Sequence, residues 1–428
     1  MANGKTISRV ADIINSDGER RFVVVSAPGK RDASDLKVTD ALYDCYNEIA
    51  QTGSCDTTFA LIKKRFEDIS TELSLDVDIQ LLLSQVKADM EKFRTKDYCA
   101  SRGEYLSARL LAAKTGAEFI DTAGLILFDA GGNLLLDESI EKLGDRLKGV
   151  EKAVLPGFYG TDCNSNVRTF SRGGSDISGA ILARAVSADV YENWTDVDGF
   201  LSADPRVVDK PELIDCLSYR ELRELAYMGA EVLHPESIFP VRSAGIPINI
   251  RNTFNPDYKG TMIVASNKLP KEHKVITGIA GRKGFTIINI EKDMMNSEIG
   301  FGRKVLEVLQ DEGISFEHVP SGIDTLSVVI RDEYLVGKMQ KILAKLQEAV
   351  NSDNIEIHSG LSLIATVGHN MSSRHGTAAT LFGALASNHI NVRMIDQGSS
   401  ELNIIVGVDT FDYEKAINSI YHAFCCEQ

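Results

Sequence analysis

The chain has 428 residues, which is too long for one hydrophobic core and suggests roughly two or three domains. Hydrophobic residues make up 43% and charged residues 25%, as in ordinary globular proteins, and the formal charge of −15 argues against nucleic acid and anionic membranes as partners. The seven cysteines lack C-x-x-C spacing, so we expect reduced thiols, and no apolar run could span a bilayer, so we expect a soluble cytoplasmic protein. The expected partners are small molecules together with magnesium.

The first part of the chain alternates strands and helices. The segment 21–27 is a short apolar run that ends at Pro28, which is typical of a buried parallel strand. Two polar, periodic stretches follow at 37–52 and 57–94. The same reasoning predicts strands at 118–120, 124–128, 152–156, 189–194 and 246–252, and helices at 104–115 and 219–227. This alternation predicts an α/β domain with a mostly parallel sheet, in which the loops after the strands form the ligand edge.

The sequence Arg172-Gly173-Gly174-Ser175-Asp176 lies between a strand-like segment and an amphipathic helix. Glycines let backbone N–H groups approach an anion, and the helix N-terminus adds the positive end of its dipole. Arg172 can bind a carboxylate or phosphate through two hydrogen bonds, and Asp176 can orient a cation or hold a metal ion. These residue types are typical of phosphoryl transfer, and a glycine turn with a helix cap is the less favoured alternative when the motif is considered alone.

Several polar residues follow predicted strands or open predicted helices. Ser26 ends the first strand, and Thr39 begins the next helix, where it is either a cap or a substrate contact. Glu104 opens another helix, where it either interacts with the dipole or receives a substrate ammonium.

The strand at 189–194 ends in a long polar loop. Thr195 and Asp196 follow the strand directly, and Arg206 stands beside the rigid Pro205. Such residues can bind nucleotide atoms and a phosphate, or form an ordinary surface turn.

The character of the chain changes near 267–273, a polar segment with a proline that we interpret as a linker. Beyond it the order β-α-β-β-α appears twice, with a period of about 75 residues, which predicts two ferredoxin-like units. The first copy is 285–291, 302–311, 314–319, 325–330 and 336–350; the second is 362–367, 377–387, 390–395, 401–408 and 413–424, and an extra strand at 275–280 precedes both.

Taken in order, the motifs S-R-G-E, P-G-F-Y-G, S-R-G-G-S-D, W-T-D-V-D-G, A-D-P-R and V-L-H-P resemble those of the aspartate kinase family, from about residue 3 to the end of the chain. The combination of R-G-G-S-D with W-T-D, D-P-R and V-L-H-P distinguishes aspartate kinases from other amino-acid kinases, and the length is similar to that of the monofunctional form. The resemblance implies an amino-acid kinase (carbamate-kinase-like) domain at 1–265 and tandem ACT domains at 275–350 and 351–428, with the strand at 275–280 completing the second.

The resemblance implies phosphorylation of the L-aspartate side-chain carboxylate by ATP with Mg²⁺, the first step toward lysine, threonine and methionine. It implies feedback by an amino acid, lysine before threonine, and a homodimer or homotetramer formed through the ACT domains, without nucleic-acid or membrane partners. The implied catalytic residues are Arg172 and Asp176, the aspartate-binding residues are Thr39, Glu104, Phe158, Arg172 and Ser175, and the ATP-binding residues are Ser26, Gly173, Gly174, Thr195, Asp196 and Arg206. No protein metal ligand is assigned.

The family's effector-binding edge corresponds to two segments of the first ACT unit. They contain Met295, Ser297, Gly300, Phe301 and Gly302, and then Ser315, Glu317, Ser321, Gly322, Ile323 and Asp324. Free N–H groups at the helix start can bind a carboxylate, and Glu317 or Asp324 can take an ammonium, whereas ordinary turn chemistry is the alternative interpretation.

The chain departs from the family in three places. The Lys that often precedes V-L-H-P is Glu231 here and a nucleotide-loop Tyr is Leu201, so neither position is assigned an ATP contact. Relatives begin with a strand carrying K-F-G-G-[ST]-S, whose Lys and glycines hold the ATP phosphates, whereas this sequence starts just past that motif. We therefore expect a truncated or wrongly assigned start of a genuine aspartate kinase.

Two alternatives remain open from the sequence. One is a kinase that phosphorylates the carboxylate of glutamate or N-acetylglutamate. The other is a non-catalytic amino-acid sensor, in keeping with the absent lysine motif.

Overall fold

The computed structural model describes residues 1–171, 173–230, 232–233, 237–270 and 274–425. Its helices are α1 (Gly4–Asn15), α2 (Val38–Thr52), α3 (Asp56–Leu73), α4 (Ile79–Phe93), α5 (Lys96–Thr115), α6 (Leu136–Leu147), α7 (Gly174–Ala185), α8 (Tyr219–Tyr227), α9 (Phe239–Ala244), α10 (Phe301–Asp311), α11 (Asp332–Leu335), α12 (Met339–Val350), α13 (Thr377–Ser387) and α14 (Tyr413–Cys425). Its strands are β1 (Phe22–Val25), β2 (Glu118–Phe119), β3 (Ala153–Pro156), β4 (Tyr159–Thr161), β5 (Val167–Thr169), β6 (Tyr191–Thr195), β7 (Cys216–Ser218), β8 (Ile248–Asn252), β9 (Thr261–Val264), β10 (Gly278–Glu291), β11 (Thr325–Arg331), β12 (Asn354–Val367), β13 (Val392–Asp396) and β14 (Asn403–Asp409).

The chain forms two compact units. Met1–Gly199 and Val232–Ala265 make up the N-terminal unit, and Phe200–Glu231 and Ser266–Gln428 make up the C-terminal unit. The chain passes from one unit to the other after Gly199, after Glu231 and after Ala265. The segment Phe200–Glu231, expected in the first domain, packs with the C-terminal unit instead.

The N-terminal unit is built on parallel strand pairs, as predicted. β3 lies between β1 and β2 and runs parallel to both, with Phe22 opposite Ala153. β6 runs parallel to β8, with Tyr191 opposite Ile248 and Thr195 opposite Asn252, and β9 adds an antiparallel strand beside β8. The predicted strand at 124–128 is wrong, because these residues form only isolated bridges.

The largest core of the N-terminal unit lies among helices α1–α5 and β1. It contains the fully buried Phe66, Met90 and Leu106, one from each of three helices. α5 is buried on most of its circumference, including polar positions such as Arg102 and Glu104. A helix enclosed in this way holds any polar side chain it carries in a fixed, water-poor environment.

The C-terminal unit contains an antiparallel sheet in the order β11-β10-β12-β14-β13. β10 and β12 are each 14 residues long and pair from Gly278–Val367 to Glu291–Asn354, so the strands predicted at 275–280 and 285–291 are largely one strand. β11 pairs with one half of β10 and β14 with the opposite half of β12. The two halves of this long ribbon each carry one repeat, which confirms the predicted pair of ferredoxin-like units.

The strand predicted at 314–319 is wrong. Glu317 and His318 make only two backbone bonds to Val329, of 2.8 and 2.9 Å. Pro320, which follows at once, has no N–H to continue a ladder. None of the helices within the described ranges combines the length and apolar character needed to cross a membrane.

Candidate active site

The carboxyl ends of β1 and β3 meet at one edge of the sheet. The carbonyl of Val25 accepts the N–H of Gly157 at 3.0 Å, so Ser26 and Phe158 follow neighbouring strand ends. A Cβ on Gly157 would lie 2.8 Å from Oγ of Ser175, which shows how closely this turn approaches α7. The structure therefore brings Ser26, Phe158 and Ser175 to the same edge.

The start of α7 interlocks with the loop that carries Phe158. Gly173 occupies the left-handed region at φ 57°, and a Cβ on Gly174 would lie 2.6 Å from Cδ2 of Phe158. Phe158 itself has φ 77°, and its N–H donates to Oγ of Ser178 at 3.1 Å. Glycine is required at this contact, because any side chain on Gly174 would displace Phe158. Arg172 lies outside the described residues, as does Glu231.

Asp176 is tied to strand β6. Its Oδ1 accepts from Nδ2 of Asn193 at 2.8 Å, and its carbonyl accepts from the hydroxyl of Tyr191 at 3.3 Å. Tyr191 and Asn193 share one face of the strand with Thr195, because side chains alternate along β structure. Burial, followed by the charge of Asp176, raises the pKa of Tyr191 far above its usual value. Asn193 was not predicted as a functional residue, and its place on the face of Thr195 is the signal that could have identified it.

Glu104 faces the region where β1 ends and α2 begins. A Cβ on the preceding Gly103 would lie 2.7 Å from Cβ of Ala27 and 3.5 Å from Cγ1 of Val38. The close packing at Gly103 therefore brings α5 against the residue after Ser26 and the residue before Thr39. Thr39 is half-buried in the first turn of α2.

The Glu104 carboxyl is enclosed and only partly hydrogen-bonded. The residue is 5% exposed, and its Oε2 has no partner among the described residues. Burial raises the pKa of Glu104 to about 7, against smaller opposing effects of the Ala27 N–H and the positive charge of Arg102. A buried acceptor without a donor is costly, and a donor brought by a ligand would remove this cost.

Arg102 lies beside Glu104 on α5 and is held by aromatic rings. Its guanidinium lies 4.3, 4.7 and 5.2 Å from the ring centroids of Tyr98, Tyr105 and Tyr159. Nη2 donates to Oγ of Ser101 at 2.9 Å. Cation–π contacts in a dry site, together with the negative charge of the nearby Asp121, stabilise the guanidinium, which explains how an arginine here is only 4% exposed.

The loops that follow β6 and β8 are joined. The N–H of Thr253 donates to the carbonyl of Thr195 at 2.9 Å, and Nδ2 of Asn252 donates to Oδ1 of Asp198 at 2.8 Å. Thr195 is half-buried and donates to Oδ1 of the exposed Asp196 at 3.3 Å. Thr195 and Asp196 therefore stand at the carboxyl edge of a parallel pair, where α/β sheets bind ligands.

An arginine–tryptophan cluster, defined as Arg20, Glu192, Trp194 and Arg251, supports this edge. The Glu192 carboxylate accepts from Arg20 at 2.7 Å, Arg251 at 3.1 Å and Nε1 of Trp194 at 3.0 Å. The guanidinium groups of Arg20 and Arg251 lie 5.2 and 4.8 Å from the Trp194 ring centroid. The cluster fixes the strand directly before Thr195. It was not predicted from the sequence.

Arg206 lies in the C-terminal unit. Its Nε and Nη2 donate to the Asp204 carboxylate at 3.0 and 2.7 Å, and its side chain is 86% exposed. The exposed guanidinium is accessible to an anion, which would compete with Asp204 for it.

The two predicted effector segments are in direct contact. The N–H of Met294 donates to Oδ1 of Asp324 at 3.0 Å, and the N–H of Asn296 donates to the carbonyl of Ile323 at 3.1 Å. In the first segment Met295 and Phe301 are buried, Gly302 is half-buried, and Ser297 and Gly300 are exposed; in the second Ser315, Ser321, Gly322, Ile323 and Asp324 are exposed.

Glu317 differs from the other predicted effector residues because its carboxylate is already engaged. Its side chain is 5% exposed, Nε of Arg331 donates to Oε1 at 2.6 Å, and the hydroxyl of Tyr227 donates to Oε2. Asp324 is therefore the more accessible acceptor for a ligand ammonium.

The described residues contain no cluster of three or more His, Cys, Asp or Glu side chains that could hold a metal ion.

Comparison with known proteins places this site in a family. The amino acid kinase family model matches residues 1–252, and an ACT domain model matches residues 364–424. Aspartokinase 3 of Bacillus subtilis (strain 168) is 38% identical over 441 residues, which cover 99% of this chain and 96% of that protein.

Solved structures show the same relationship. The crystal structure of Clostridium acetobutylicum aspartate kinase, described as an allosteric enzyme, is similar with a TM-score of 0.93 and 49% identity over 99% of this chain and 97% of that one. E. coli aspartokinase III, solved in complex with aspartate and ADP, shares the fold with a TM-score of 0.76 and 24% identity over 99% of this chain and 97% of that one.

Proposed function

Because the chain belongs to the amino acid kinase family and is an aspartate kinase, we propose how its residues divide the transfer of a phosphoryl group from ATP to L-aspartate. The aspartate side-chain carboxylate forms a new O–P bond while the bond between the γ-phosphorus and the β–γ bridging oxygen breaks. The products are 4-phospho-L-aspartate and ADP. A carboxylate is already ionised near neutral pH, so the reaction needs positioning and charge neutralisation rather than a general base.

Glu104 is the proposed partner of the aspartate ammonium. The observation that carries this assignment is the buried Oε2 without a hydrogen-bond partner among the described residues. Thr39, Phe158 and Ser175 surround the same edge, and Arg172 is proposed for a substrate carboxylate on the chemistry of its guanidinium. Asp176, oriented by Asn193, is proposed to organise the centre rather than to remove a proton.

The nucleotide is proposed to lie along the ends of β1 and β6, with Mg²⁺ bound to its phosphates. Gly173 and Gly174 offer backbone N–H groups at the start of α7, and Ser26, Thr195 and Asp196 lie at strand ends. Arg206 is proposed to contact a phosphate after exchanging its bond to Asp204.

The C-terminal unit is proposed to bind lysine, or threonine as the second candidate, as a feedback inhibitor. The helix α10 begins at exposed backbone next to Gly300, which suits a ligand carboxylate, and Asp324 suits its ammonium. Residues 275–350 and 351–428 are proposed as the two ACT domains, and pairing of β10 with β12 supports the strand at 275–280 as part of the second. A homodimer or homotetramer through these domains is part of the proposal.

The alternatives from the sequence are less favoured. A non-catalytic sensor or a kinase for glutamate or N-acetylglutamate would not be expected to match aspartokinases over nearly the whole chain.

Calorimetric titration of the full chain tests the aspartate site. Wild type is expected to bind L-aspartate in preference to glutamate and N-acetylglutamate. Glu104→Gln is expected to weaken aspartate binding about 10- to 100-fold, the effect of losing one charged hydrogen bond, without changing ADP binding. Glu138→Gln, an exposed glutamate of the same unit, is the matched control and should behave as wild type. Unchanged aspartate affinity in Glu104→Gln would exclude this assignment.

A further inference from the structure

The segment Phe200–Glu231 is matched by the kinase family model but packs with the C-terminal unit. The carbonyl of Ser202 accepts the N–H of Ile279 in β10 at 2.8 Å. The N–H of Glu212 donates to the hydroxyl oxygen of Tyr421 in α14 at 3.0 Å. The hairpin that carries Arg206, closed by the antiparallel bridge between Leu201 and Leu213, is therefore bonded directly to the sheet and a helix of the C-terminal unit.

Helix α8 also packs on residues of the C-terminal sheet and the segment that follows it. The buried Glu221 accepts the N–H of His369 at 2.9 Å. A Cβ on Gly278 would lie 3.2 Å from Cδ2 of Leu225 in α8 and 3.3 Å from the carbonyl of Ser202 in the hairpin. Gly278 therefore lies close to both α8 and the hairpin, which pack against the same point of β10.

Tyr227, the last residue of α8, contacts the second effector segment. Its hydroxyl donates to Glu317, and the Arg331 guanidinium lies 5.5 Å from its ring centroid while bonding the same carboxylate. Burial, with the neighbouring Glu317, raises the pKa of Tyr227, so its hydroxyl remains a donor near neutral pH. Tyr227, Glu317 and Arg331 are called the coupling cluster below.

We propose that Tyr227 couples the effector segment to the nucleotide loop through α8, so that an amino acid bound near Asp324 changes the position of Arg206. This inference rests on the proposed effector function and adds the residues through which a bound effector would act on Arg206. A ligand that repositions Glu317 acts on the end of α8 through the hydrogen bond of Tyr227 to Glu317 and the contact of Tyr227 with Arg331. Helix α8 and the hairpin that carries Arg206 both lie close to Gly278. Coupling between two sites is reciprocal, so nucleotide binding must also change effector affinity.

The test compares Tyr227→Phe with Tyr334→Phe, a second partly exposed tyrosine of the same unit, in the full chain. Lysine and threonine are titrated with and without saturating ADP. In wild type, ADP is expected to change the affinity of the effector by at least about fivefold, the lower end of ordinary allosteric coupling. In Tyr227→Phe that ratio should approach one, with ADP affinity in the absence of effector unchanged, whereas Tyr334→Phe should retain the wild-type ratio.

A wild-type coupling ratio in Tyr227→Phe would overturn the inference. If neither amino acid binds wild type, the proposed effector function fails, and hydrogen exchange then decides the inference alone. Tyr227→Phe should speed amide exchange both in 315–319 and in 204–208. Faster exchange confined to the first segment would show that the coupling cluster is only a local contact.

Discussion

Replacing Glu104 by glutamine should make the protein more stable at pH 8 while it weakens aspartate binding. Burial raises the pKa of this carboxyl from 4.5 to about 7. Between these values the native state binds more protons than the unfolded state, so stability falls as pH rises through this window. A shift of this size corresponds to about 3 kcal/mol of unfolding free energy lost between pH 4 and pH 8.

Glutamine has nearly the same shape but no charge, so it does not carry this pH-dependent cost. The difference in unfolding free energy between Glu104→Gln and wild type should therefore grow by about 3 kcal/mol from pH 4 to pH 8. Urea unfolding followed by fluorescence measures it, because Trp194 is the only tryptophan in the chain and lies in the same unit.

Asp162 provides a control in which the free energy of unfolding is expected to change with pH in the opposite direction. Burial opposes its ionisation, but the N–H groups of Asn164 and Asn166 donate to its Oδ1 at 2.9 Å each and hold its pKa below the usual value. The contribution of Asp162 to the free energy of unfolding is present above the ordinary pKa of aspartate and is lost as pH falls. Asp162→Asn should therefore destabilise the folded protein at pH 8. Parallel pH curves for Glu104→Gln and wild type would refute the interpretation of Glu104 as a buried carboxyl awaiting a donor.

Two further substitutions test the surroundings of the site. Gly174→Ala places a methyl group 2.6 Å from Phe158 and is expected to weaken aspartate binding by about tenfold, whereas Gly18→Ala, whose Cβ meets nothing within 4 Å, should leave calorimetric affinity unchanged. Arg251→Lys removes a planar cation from the Trp194 ring and is expected to shift the tryptophan emission and weaken ADP binding severalfold, about 1 kcal/mol, without affecting aspartate. An equal loss of aspartate affinity would mean that the cluster supports the whole unit rather than the nucleotide edge.

The sequence predicted regular elements well where apolar periodicity was strong. Helices α8 and α13 have the predicted bounds, whereas α5 was predicted from residue 104 and begins at Lys96. Its first two turns contain Arg102 and Gly103, buried by aromatic stacking and close backbone packing rather than by an apolar stripe. Periodicity detects burial only where buried residues are apolar, so it missed this part of the helix.

The sequence also predicted that the loops after parallel strands share one edge, but not the residues that support this edge. Ser26 could be placed there from its position after a strand, whereas Phe158 was assigned only by the resemblance. Asn193 and Tyr227 were missed because their importance depends on partners far along the chain, Asp176 and Glu317. Contacts at such separation follow from the fold and leave no local pattern.

Two buried glutamates show why residue type and burial alone do not identify a binding site. Glu221 is fully buried, and its carboxylate accepts from the N–H of Ser218 at 2.7 Å, from that of His369 at 2.9 Å and from two hydroxyl groups. Glu104 is almost equally buried, yet one of its oxygens has no partner in the described part of the chain. The first carboxylate is satisfied by the fold and stabilises it, whereas the second keeps an acceptor oxygen that the described residues leave unsatisfied. The unmet hydrogen-bonding capacity of Glu104, rather than its charge, is therefore the observation that supports its proposed role, because a ligand ammonium bound there would remove an existing cost.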